Sequence, residues 1–102
     1  MTFDLFERSL EDGQPPTLSH PLLTALWHEG KGDWGRAHDI AQDIDSREGA
    51  WVHAHLHRVE GDIWNANYWY RRAGRSMPEL SVKEEWKALV EHLLREPPQR
   101  KS

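Results

Sequence analysis

The chain contains no cysteine, which removes disulfides, thiolate metal centres and cysteine nucleophiles from its chemistry. That absence fits a reducing compartment. No apolar run approaches the roughly 20 residues that a membrane-spanning helix needs. The first ten residues carry Asp4 and Glu7 and lack the basic-then-apolar order of a secretory leader, so a cytoplasmic protein is expected, with no membrane partner. An excess of positive charge is also missing. Seventeen acidic residues face 13 Lys and Arg, a net charge of −4, which argues against bulk nucleic-acid or membrane-surface binding. No segment alternates apolar and polar residues as a half-buried strand would. There is no glycine-flanked nucleophile and no phosphate-cradling loop, because Gly30-Lys31-Gly32 runs into Asp33. The few Ser and Thr sit mainly at caps or in loops, so no nucleophile–base–acid set can be assembled. A binding role therefore ranks ahead of an enzymatic one.

Two residue types are abundant instead: seven His and six Trp among 102 residues. Bulky rings are what short helices use to fill the gaps between them. The spacing predicts an all-α domain over residues 1–96, built from five to six short helices, with a disordered tail at 97–102. Phe3, Phe6 and Leu10 define a first helix over 3–12. Ser19 caps a second, running to about Glu29 with Pro21 in its first turn. Asp33 caps a third through Trp34, Ala37, Ile40, Ala41 and Ile44. Ser46 caps a fourth, to Glu60, and Asp62 a fifth, to about Arg75. Ser81 and Glu84 form a capping box that opens a last helix with Val82, Trp86, Leu89, Val90 and Leu93 inward. On the fourth helix, Ala50, Ala54 and His57 make one stripe, and Val52, Leu56 and Val59 another nearly opposite. A helix apolar on two sides is sandwiched between neighbours.

The sequence also repeats. Gly32-Asp33 and Gly61-Asp62 lie 29 residues apart, with Ala25/Ala54, His28/His57 and Ala37/Ala66 in the same register. Recurrence of small residues and turn glycines at such a period marks stacked helical hairpins. Over Ala54, His57, Gly61, Asp62, Ala66, Tyr70, Ala73 and Pro78 the pattern resembles the tetratricopeptide repeat, and the first unit follows through Ala25, Gly32, Asp33, Ala37 and Ala41. The unit is shorter than the usual repeat, and Ile44 and Gly49 depart from it. Trp51-Val-His-Ala-His-Leu-His-Arg58, Glu60-Gly-Asp62, Asn65-Ala66 and Tyr68-Trp-Tyr-Arg-Arg-Ala73 also resemble a group of small uncharacterised bacterial proteins. The resemblance implies two tetratricopeptide-like hairpins with a capping helix at each end. It implies protein or peptide binding, or self-association, on a groove lined by Leu22, Leu26, Trp51, His55 and Arg58.

Three constellations carry chemistry. His53 and His57 lie four apart with Glu60 three further on, one helix face whose imidazoles and carboxylate suit a divalent metal. His28, in the repeat position of His57, is a further candidate neighbour. The bland alternative is a half-buried His57 bonded to a carbonyl or to Asp62, with no metal or other cofactor. On the fifth helix Trp64, Tyr68, Arg71 and Arg75, with Arg72 beside them, oppose a buried arc of Ile63, Ala66, Trp69, Tyr70 and Ala73. Trp, Tyr and Arg are hot-spot residues of protein interfaces. The same rings and guanidinium groups also suit a weak nucleic-acid or anion binder. Alternatively the last helix covers Trp64 and Tyr68, and the arginines pair with Glu79, Glu84 and Glu85. One of Asn65 and Asn67 is expected to bond across to a neighbouring helix, Asn65 being the nearer to the buried arc. The leading expectation is a small helical-repeat interaction module for a protein or peptide partner or a homodimer.

Overall fold

Six helices are present in a computed structural model that describes residues 1–95. They are α1 (Phe3–Ser9), α2 (Pro21–Gly30), α3 (Trp34–Gln42), α4 (Arg47–Val59), α5 (Ile63–Arg72) and α6 (Val82–Arg95). There is no strand among the described residues, and the fold is all-α. The expected tail at 97–102 lies outside the described residues. Among the described residues no helix is long and apolar enough to cross a membrane.

The caps explain where the helices begin. Asp33, Ser46 and Asp62 each accept the backbone N–H three residues on. The Ser81–Glu84 box closes in both directions, at 2.9 and 3.0 Å. At α2 the cap is His20 rather than Ser19. Pro21 occupies the first helical position, and the His20 ring accepts the Leu22 N–H through Nδ1 at 3.0 Å. Three helices stop earlier than their spacing predicts, α3 ending at Gln42 short of Ile44. The first gives way to turns after Ser9, and α5 ends at Arg72, where Gly74 adopts φ +74° and Arg75 returns its N–H to the Tyr70 carbonyl.

The sequence repeat is a repeat of turns. Gly32 and Gly61 hold φ of +85° and +88°, a left-handed conformation open to glycine at little cost. The following Asp33 and Asp62 N–H groups bond to the carbonyls of His28 and His57 at 2.8 and 2.9 Å. Each such turn folds one helix onto the next, so α2 packs on α3 and α4 on α5. Helix α4 is the centre. Every residue from Gly49 to His57 is buried, against α2, α3, α5 and α6. Helix α6 lies across α1, α2 and α4, and the Trp86 indole donates to the Leu26 carbonyl at 2.9 Å. Its inner arc starts at Glu85, and Val82 is exposed.

Candidate functional site

Three histidines meet where the first hairpin touches the second. His53 and His57, one turn apart on α4, stack at 4.8 Å between ring centroids. The third ring is His38 from α3, whose Nε2 lies 3.0 Å from His53 Nε2. One nitrogen from each ring lies within 4.8 Å of the other two. Tryptophans hold the cluster in place. Trp34 stacks on His38 at 4.8 Å, and its indole N–H is anchored on the Leu56 carbonyl at 2.7 Å. Trp69 stacks on His53 at 3.9 Å. Glu60 sits beside the cluster, its carboxylate 2.6 Å from His57 Nδ1, which leaves Nε2 as that ring's other nitrogen. His28 does not join them; its ring packs edge-on against Trp27.

Burial governs the charge of this site. Loss of water, reinforced by the neighbouring His38 and His57, lowers the His53 pKa to about 4. Burial and then His57 lower His38 as well. Both rings are neutral at pH 7, with lone pairs available to a Lewis acid. The cluster borders a cleft of about 470 Å³ whose walls include His53, Trp69, Arg47 and Arg72.

A second polar group is buried behind α4. Glu85, fully buried, accepts from the Trp51 indole at 3.1 Å, the Tyr70 hydroxyl at 2.6 Å and Arg58 at 3.1 Å, and bonds His55 Nδ1 at 2.8 Å. The other ring nitrogen of His55 contacts Glu29 at 2.7 Å. Burial opposes the imidazolium, but hydrogen bonds to Glu29 and Glu85 outweigh it and raise the His55 pKa to about 9. Burial likewise opposes the carboxylate, and the bonds from His55 and Tyr70 outweigh it and hold Glu85 below its ordinary value.

Leu22, Leu26, Trp51 and His55 are therefore interior residues. The groove they were expected to line is filled by α6, which lies on α2 and α4. Arg58 is half-buried, bonded to Glu85 and to the Leu80 carbonyl. Arg75 stacks over the Trp51 ring at 3.5 Å. The fifth helix presents the opposite picture. Trp64 is 73% exposed and Tyr68 37%, their rings stacked at 6.4 Å, and the preceding Ile63 is also exposed. Arg71, Arg72 and Arg75 are exposed along the same helix end, and among the described residues none of them ion-pairs with Glu79, Glu84 or Glu85. Asn65 turns back to its own cap, donating to Asp62 from its backbone at 3.3 Å and its side chain at 2.6 Å.

His38 escaped the sequence reading, and Glu85 entered it only as a partner for the arginines of the fifth helix. His38 is 15 positions from His53 and on another helix, so only the hairpin register could have joined them. Glu85 left a usable signal: it lies four before Leu89 and next to Trp86, a charge on the apolar arc of α6. No family model, curated protein or solved structure matches this chain.

Proposed function

We propose that this protein is a small helical-repeat interaction module that holds a protein partner against the outer face of α5. The observation that carries the reading is the exposure of Trp64, stacked on Tyr68 and following the exposed Ile63. An indole left in water forgoes about 2 kcal/mol of available burial, and Trp, Tyr and Arg dominate interface hot spots. The flanking Arg71 and Arg72, both exposed, select an acidic surface on that partner. The repeated Gly-Asp turns and the α2/α3 and α4/α5 hairpins support the tetratricopeptide-like reading.

Trp64 is free of core contacts, so Trp64→Ala leaves unfolding stability within about 0.5 kcal/mol of wild type. The same change, or Arg71→Ala, weakens partner binding by 10-fold or more (about 1.4 kcal/mol). Leu5→Ala, at an exposed residue of α1, leaves it intact. Light scattering of the purified chain distinguishes self-association from a different partner. Salt-sensitive binding to single-stranded nucleic acid, with no protein complex, would overturn the reading.

A further inference from the structure

Independently of that reading, we infer that His38, His53 and His57 together bind one divalent first-row transition-metal ion, zinc(II) being the probe. Donors around a tetrahedral zinc at about 2.0–2.1 Å stand about 3.3 Å from one another. His38 and His53 already present Nε2 to Nε2 at 3.0 Å, and the third ring offers a nitrogen within 4.8 Å of both. Closing the set asks only for a side-chain adjustment of about 1–2 Å.

A merely space-filling cluster explains this arrangement poorly. Two facing imidazole nitrogens can share one proton, and the third ring has no place in that bond. No carboxylate bonds to the rings of His38 or His53 among the described residues. Apolar rings would fill the same space without burying polar nitrogens. A Lewis acid accepts all three lone pairs at once.

Glu60 completes the arrangement as a positioning residue rather than a ligand. Its carboxylate on His57 Nδ1 fixes the tautomer that exposes Nε2 and raises that nitrogen's basicity, the usual outer support of a metal-bound histidine. The overlapping trio of His57, Glu60 and Asp62 is not the site, because both Asp62 oxygens are engaged by Asn65. Three imidazole nitrogens select zinc, nickel or copper over magnesium or calcium, which take oxygen donors. With three protein ligands, at least one coordination position remains for water or a small ligand. His38 comes from the first hairpin and the other two from the second, so a bound ion would tie the hairpins together.

The test uses the tag-free full chain, stripped with chelator and titrated calorimetrically with zinc chloride. One zinc binds per chain, and the melting temperature rises by about 10 °C at an excess of 100 times Kd. His38→Gln abolishes that binding while Glu60→Gln weakens it about 10–100-fold, and His28→Gln has no effect. Should His38→Gln lose its helicity, the ring-proton NMR signals of wild type decide: zinc shifts those of His38, His53 and His57 among the seven histidines. No zinc binding by wild type, undiminished binding by folded His38→Gln, or shifts confined to His20, His28 or His92 would overturn the inference.

Discussion

Both ring nitrogens of His55 rest on carboxylate oxygens, so the imidazole must donate twice and is held as a cation. Glu85 in turn receives bonds on both oxygens from four side chains. Removing one partner of such a buried ionic group leaves the others uncompensated. Glu85→Gln is therefore expected to cost about 3–5 kcal/mol in urea unfolding. Glu84→Gln, one residue away and exposed, costs no more than about 1 kcal/mol through its cap. Equal losses would show that the Glu85 cluster contributes nothing special. The two shifts also contribute opposite slopes to the pH response of the metal-free protein. His55 is raised from 6.5 to about 9, so its contribution is complete below pH 6.5 and is lost as pH rises through 9. That loss is on the order of 3 kcal/mol. Glu85 is lowered from 4.5, so its contribution holds above pH 4.5 and disappears as pH falls through its lower folded value. Stability measured by urea midpoint should decline between pH 6.5 and 9.5; a flat profile there would mean that His55 is not held as a cation.

At the scale of elements, two glycines matter for opposite reasons. A Cβ at Gly61 would meet nothing within 4 Å, but the residue sits at φ +88°. A Cβ at Gly49, inside α4, would collide with the Ile44 carbonyl oxygen. Both Gly→Ala changes should destabilise, by about 1–2 kcal/mol at Gly61 and about 1–3 kcal/mol at Gly49. Asn, which tolerates positive φ, recovers part of the loss at Gly61 and none at Gly49; recovery at both positions would contradict this division. The contrast shows what the sequence could convey. Local chemistry was legible: the Asp33, Ser46 and Asp62 caps, the Ser81–Glu84 box, the repeated turns and the two-sided burial of α4 all follow from neighbours a few residues apart. The departures came from local groups whose role their type does not announce and from groups that act across the fold. His20 displaces Ser19 because a ring nitrogen can cap as well as a hydroxyl. Gly49 is dictated by a carbonyl approaching from the preceding turn. The Trp51–His55–Arg58 face closes because α6 lies on it, and the partners that α6 brings, Glu85 above all, come from more than 25 residues away.

In the molecule as a whole, the junction of the hairpins and the exposed face meet on α5. Trp69 turns inward to stack on His53, while its neighbour Tyr68 and, one turn earlier, Trp64 turn outward. An ion held by His38, His53 and His57 would fix the ring that Trp69 rests on, and with it the setting of the helix that carries the proposed binding face. The candidate metal site was half legible in the sequence. His53, His57 and Glu60 share a face by spacing alone, whereas His38 enters only when the first hairpin folds onto the second. The most direct measurement is anomalous diffraction at the zinc edge from crystals of the full chain grown with zinc. The account predicts one strong peak bonded at about 2.0–2.1 Å to nitrogens of His38, His53 and His57. Zinc found only on surface carboxylates, or on His57 with Glu60 and Asp62 in place of the other two histidines, would contradict it.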